Sequence, residues 1–550
     1  MFPLRKTVST LNTVLIIGSV LVMSSLMGAS LASAQVQMET LGPADVYDPG
    51  ALEAGQGGLD ARLWQGTSSE RASALIGNIN VKAARPARNL ATTVLLSAGI
   101  PPQSGGALTR ERYIATRLEA LIALDALAAF EIITARSNLE ASSPVYVKIF
   151  TEQALLSGQT ARACGFADTI RTERKAPYWA KLRAYCHFTR DEVPAAELTT
   201  DILRRNDHED AAFFTLLGNL TGSEIKPPKA EALKTALHIV MARTVLKDAK
   251  INAADVPPAL ARMLAMDVER DASTRLSALI RSAHMLTREE TEQVLYSFSD
   301  TPDVTALEDI SALPTDKDWT AAQWGQAFAA LRTSTDITRI ASLCSVLLIQ
   351  AERIGISEPI AQVLARDIAV IPHDIRAAEN PSVFAHIAVQ NGDIETLRGL
   401  YQNLDADTPL RGRIALASDA LGNGFLLTDL GMDIETRLTF KGDKKARAVR
   451  DTYIAAGLGS QLSQNALDIL LPITDLAGHT ATPGALLALQ EAAQRRAQAE
   501  TVLWAAHILD THALGELRAD TFSVLLTALN AAGLNGLAGQ LAAQDFLNGY

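Results

Sequence analysis

The chain has 550 residues, of which 48% are hydrophobic and only 5% aromatic, and its formal charge at neutral pH is −11. That length exceeds one ordinary compact core and implies either several domains or an elongated repeat array. The acidic balance, with its basic residues dispersed, lacks the clustered Lys and Arg that release counterions from a nucleic acid, so nucleic acid is excluded as an expected partner.

Residues 1–34 have the form of a secretory signal peptide. Arg5 and Lys6 precede an apolar run from Val14 to Met27, and Ala32, Ser33 and Ala34 form an A-x-A site before Gln35. The alternative is a retained anchor, but the run is about 14 residues where a spanning helix needs about 20. Cleavage leaves about 516 residues with no membrane-spanning segment and takes the charge to −13 (48 basic against 61 acidic residues). The expected compartment is the periplasm.

The apolar content is mostly Ala and Leu, which helices accept at least cost, and this favours an array over separate domains. Residues 35–58, rich in Gly, Pro and acid, are expected as a flexible arm. A first helical hairpin is expected with Leu63, Trp64, Leu75 and Ile79 on its apolar side. A short helix over 86–98 follows, stopped by Gly99 before Pro101 and Pro102 and expected to cap the array. From there the corners recur. ALIALDALAA near Ala120 and ALLSGQTARA near Ala154 align with an offset of 34, and the next corner falls near Arg190. Such offsets match the tetratricopeptide class, in which one hairpin cannot bury its face alone and stacks on the next.

The stretch from Thr151 to Thr200 is the clearest unit, with two short helices around a glycine turn, a polar hinge ending at Pro177, and a second pair. Cys164 and Cys186 are equidistant from a hinge centred near residue 175, which brings them within bridging range on antiparallel helices. In an oxidising compartment a disulfide is expected, against the alternative of two buried thiols. Cys344 has no evident partner and is expected to be a buried free thiol.

Helices are expected over 211–220, 231–246, 259–266 and 273–285, completing an N-terminal helical-repeat region over 59–298. An acidic, proline-containing linker is expected over 299–318. A C-terminal helical-repeat region, 319–550, opens on a helix with Trp324, Phe328 and Leu331 at helical spacing. Val383–Leu400 forms a hairpin about Asn391-Gly392-Asp393, and the chain closes on a hairpin around Gly533.

These corner patterns, together with YWAKLRAYC at Tyr178–Cys186 and LWQG at Leu63–Gly66, resemble a group of secreted, alanine-rich helical-repeat proteins of alphaproteobacteria, themselves similar to tetratricopeptide proteins. The likeness spans most of the mature chain, and its motifs are structural. Several units depart from the tetratricopeptide pattern in length and in its aromatic and proline positions. The resemblance implies the fold and carries no activity, cofactor or site residue.

The chemistry-bearing residues do not assemble in the sequence. The nine histidines are scattered, and the nearest pair, His507 and His512, stands at i,i+5, off one helical face. No H-E-x-x-H, paired C-x-x-C or G-x-S-x-G occurs, so no catalytic residue, metal or cofactor is expected. Gly422-Asn423-Gly424 reads as a corner. The basic set Lys441, Lys444, Lys445, Arg447 and Arg450, in a glycine-rich stretch from Ala420 to Asp451, is a candidate patch for an anionic partner; a solvated helix start is the alternative.

The expected fold is therefore all-α, an α-solenoid of stacked antiparallel helical hairpins with irregular, tetratricopeptide-like repeats. Its long faces suit protein partners, and the expected function is a non-catalytic periplasmic interaction scaffold within a cell-envelope assembly. The alternatives are a peptidoglycan-associated enzyme or accessory factor, and a structural protein without a specific partner. The sequence does not fix the oligomeric state.

Overall fold

A computed structural model describes residues 47–548 except 82, 84, 104–105, 125, 172, 206–208, 247–254, 300–306, 315, 423–436, 511 and 513. The expected signal peptide lies outside the described residues. Residues from Val46 to Tyr550 make one compact unit.

The unit is all-α. Its first helices are α1 (Ser69–Gly77), α2 (Arg85–Leu96), α3 (Ala107–Ala123), α4 (Leu127–Ser137), α5 (Val147–Leu156), α6 (Thr160–Thr169), α7 (Pro177–Thr189), α8 (Val193–Arg205) and α9 (Ala211–Leu220). Then come α10 (Ala236–Val245), α11 (Pro258–Ala265), α12 (Ala272–Ser282), α13 (Arg288–Ser299), α14 (Ala321–Thr333), α15 (Ile337–Arg353), α16 (Ser357–Ala369), α17 (His373–Glu379), α18 (Pro381–Asn391), α19 (Ile394–Asn403) and α20 (Pro409–Leu421). The last are α21 (Asp443–Gly457), α22 (Gln464–Leu470), α23 (Pro483–Gln494), α24 (Gln498–Ile508), α25 (Ala519–Ala531) and α26 (Asn535–Leu547).

Local chemistry sets these boundaries. Side chains of Ser68, Asp210, Thr235, Asp271, Thr320 and Asp393 accept hydrogen bonds from the first turns of α1, α9, α10, α12, α14 and α19, satisfying donors that helix starts leave open. Gly392 ends α18 at φ +66°, a left-handed conformation that suits glycine, so the Asn-Gly-Asp corner forms as the sequence predicts. The corners after α3, α5 and α7 fall at Leu124, Ser157 and Arg190, a spacing of 33 residues. Successive helices pack on one another through almost the whole chain, in an arrangement consistent with helical repeats. No helix among the described residues is long and apolar enough to cross a membrane.

Cys164 on α6 and Cys186 on α7 form a disulfide, and Cys344 is a free, buried thiol. Burial pushes the Cys344 thiol well up from its ordinary value, so it stays protonated.

Across the 299–318 stretch the two helical regions are in direct contact. Helix α13 packs along α14, and a Cβ on Gly325 would come within 2.5 Å of the Phe298 carbonyl, so glycine permits that approach. Trp324, Phe328 and Leu331 are buried beneath it.

Two expectations are corrected at the N-terminal end. Residues 47–58, predicted as the end of a flexible arm, are held down. Asp48 pairs with Gly99 through both backbone groups, and Arg117, almost wholly buried, donates to the carbonyls of Leu95, Ser97 and Pro49 at 2.9, 2.9 and 3.2 Å. Asp48 also pairs with Arg110 at 2.7 Å. The segment is tied to α2 and α3 through its backbone and Asp48, while residues 54–57 stay exposed.

Nor does α2 cap an open end. It lies along α24, and Arg85 pairs with Glu358 on α16. The preceding segment is stitched to the same helix: Ala499 N–H donates to the Leu63 carbonyl at 2.9 Å and Asp60 N–H to Gln498 Oε1 at 2.8 Å. At the centre Glu500, fully buried, accepts from Arg71 Nε at 2.5 Å, Thr67 Oγ1 at 2.8 Å and Arg495 Nη2 at 3.2 Å. The run of helices thus closes on itself.

Arg71 and Arg495 are partly exposed, so water can replace a lost carboxylate. Glu500→Ala is expected to lower stability by about 2–3 kcal/mol, the worth of charge-assisted hydrogen bonds rather than of stranded charges. Limited proteolysis should then cut within 59–71 first. Cleavage at the wild-type rate would contradict the closure.

Candidate functional site

The five basic residues singled out in the sequence divide into two groups. Lys441 and Lys444 are exposed and Lys445 is half-buried, around the first turn of α21. Arg447 and Arg450, expected in the same patch, instead turn inward. Position along the helix separates them: Arg447 and Arg450 stand one turn before Asp451 and Ile454 in the buried part of α21, whereas Lys444, on the same stripe as Ala448 and Asp451, is exposed in the first turn and Lys441 precedes the helix.

Two fully buried carboxylates receive those arginines. Asp451 accepts from Arg413 Nη1 at 2.7 and 2.8 Å and from Arg437 Nη2 at 2.8 Å, with Arg447 Nε at 3.1 Å. Asp545 on α26 is held by Arg450 Nη2 at 2.7 Å and Nε at 2.9 Å, with Arg447 Nη2 at 3.5 Å. Arg450 also donates to the carbonyls of Leu517 at 2.5 Å and Leu514 at 3.0 Å, and lies 5.7 Å from the centre of the Phe522 ring. Arg447 donates to the Asp545 carbonyl at 2.5 Å. This clamp ties α20, α21 and α26 together. Burial holds the Arg447 guanidinium below its usual range; Asp451 and Asp545 oppose that shift, and Arg413 and Arg450 add to it.

Beside the clamp lies a cavity of about 580 Å³. Lys445, Arg447 and Arg450 line it from α21, and Ile473, Asp475 and Leu476 line it from the segment after α22. A small separate core of Leu438, Ala448, Val449, Ala466 and Leu470 supports this part of the fold. Lys445 makes no ion pair with any described residue.

The remaining candidates stay apart. His507 is exposed against Trp504, and His512 stacks on His479 with ring centres 3.9 Å apart. Among the described residues no group of His, Cys, Asp and Glu is arranged to hold a metal ion. Of the Gly422–Gly424 corner, residues 423 and 424 lie outside the described residues.

Sequence reasoning missed Arg413, Arg437, Asp451, Asp545 and Glu500. The signal for the acids was present: Asp545 in AAQDFL and Glu500 in QAETVLWAA are lone carboxylates among apolar residues of a helix, where burial demands a cationic partner. Their partners, 95 and 429 residues away for Arg450 and Arg71, carried no local signal. Comparison of the chain with protein-family models, curated proteins and solved structures finds no match.

Proposed function

We propose that this chain is a non-catalytic interaction scaffold, exported to the periplasm as part of a cell-envelope assembly. In this reading the helices form an irregular, tetratricopeptide-like solenoid of the kind its sequence resembles, and the scaffold takes an acidic segment of a protein partner. The observation that carries it is the basic rim of α21. Lys441, Lys444 and Lys445 project from a helix whose inner face is fixed by the Arg447 and Arg450 clamp. Placing solvent-facing cations on a rigid base gives complementarity to an acidic surface and steers its approach.

The disulfide supports the compartment, because such bonds persist where the surroundings are oxidising.

The test is a crosslinking pull-down of the tagged mature protein from envelope fractions, with Lys444→Glu/Lys445→Glu alongside. One partner in near-stoichiometric yield is expected from the wild type, falling by about tenfold in the variant, on the scale of like-charge contacts across an interface. Equal recovery would overturn the basic-rim reading. An empty pull-down, with protein that sediments on isolated sacculi, would move the assignment to peptidoglycan.

A further inference from the structure

We propose that the cavity beside α21 binds a small organic anion with an apolar body, a carboxylate or a phosphate ester. This goes beyond the scaffold reading and does not depend on it. The volume of about 580 Å³ falls within the range of small-molecule sites. Three cationic side chains, Lys445, Arg447 and Arg450, line it against one carboxylate, Asp475.

The clamp does not cancel that imbalance. Four arginines, Arg413, Arg437, Arg447 and Arg450, share only two carboxylates, Asp451 and Asp545, and Lys445 has no ion-pair partner among the described residues. A cavity wall of this kind concentrates positive potential where water is partly excluded.

The rest of the lining decides the shape of the ligand. Val449, Ile473 and Leu476 are apolar, so an inorganic anion or a lone carboxylate side chain would satisfy the cations and leave these surfaces in water. A ligand with a charged head and a hydrocarbon body covers both. Asp475, exposed on the rim, disfavours a second negative charge at the far end and so favours a single anionic head.

Isothermal titration of the mature chain with octanoate, octyl phosphate and octanol tests this directly. One equivalent of octanoate or octyl phosphate is expected to bind, with octanol weaker by about tenfold or more, the discrimination expected of a charge-assisted contact. The tighter of the two anions identifies the head group.

Ala446 lines the cavity from an exposed position, so Ala446→Trp fills it without entering the core; binding should fall by about tenfold while the unfolding temperature holds. Lys445→Gln, at a half-buried position, gives a second variant with the same expected direction. Absence of binding by either anion, binding of octanol as tight as octanoate, or unchanged affinity in a folded Ala446→Trp protein would overturn the proposal.

Discussion

Replacing Asp451 with alanine is expected to destabilise the fold by about 3–5 kcal/mol, the cost of removing one partner from a buried ion pair. Asp451 is fully buried and stands among Arg413, Arg437 and Arg447. Of these, Arg413 is itself 4% exposed at the side chain, so it cannot rehydrate in place when the carboxylate goes. The guanidiniums gathered by one acid would then repel one another across its empty site. Chemical denaturation of Asp451→Ala and Asp451→Asn gives the check. The amide keeps one acceptor oxygen but not the charge, so its loss should fall between the wild type and the alanine variant. A loss below about 1 kcal/mol for Asp451→Ala would place this cluster with exposed ion pairs and contradict the clamp.

Contrast this with Glu500, which is equally buried but whose arginines reach solvent. The same deletion should cost less there, because what decides the penalty is the fate of the surviving charges.

Loss of the Cys164–Cys186 bond is expected to cost about 3 kcal/mol, mainly by restoring freedom to the unfolded chain across a sequence separation of 22 residues. The two cysteines are 2% and 1% exposed, so a reductant reaches the bond only when α6 and α7 part. Two results follow. Under native conditions the bond should resist dithiothreitol, and in mild denaturant it should be reduced as the region opens. The Cys164→Ala/Cys186→Ala protein should unfold at a lower urea concentration than the oxidised wild type, by the same free energy as full reduction within the small cost of two vacated buried sites. Identical midpoints for oxidised, reduced and double-alanine proteins would contradict a stabilising role.

Much of the helical text was legible because it is locally encoded. The helix Ala211–Leu220 forms at its predicted bounds, where the structure adds a cap at Asp210, and the predicted corner about Gly392 and Asp393 joins α18 to α19. Trp324, Phe328 and Leu331 declared a buried face by spacing alone. Long-range matters were not legible. Nothing near Pro86 indicates that its helix meets α24 some four hundred residues later, and nothing near Asp48 announces Arg110 and Gly99. A polar, glycine-rich segment looks the same whether solvent or a distant buried arginine satisfies its carbonyls.

The basic cluster shows the same limit within a single helix. Its residue types were visible, but the division into outward lysines and inward arginines depends on where Asp451 and Asp545 lie. Arginine suits the buried role because its planar fork serves several acceptors at once, while lysine keeps its ammonium in water.

The most direct measurement of the scaffold account is site-specific photo-crosslinking in living cells, with the photoreactive residue at Lys444 in one strain and at exposed Leu198 on α8 in another. The account predicts one discrete crosslinked product from position 444 and not from 198, lost when Lys441 and Lys445 are changed to Glu. No product from 444, or the same products from both positions, would contradict it.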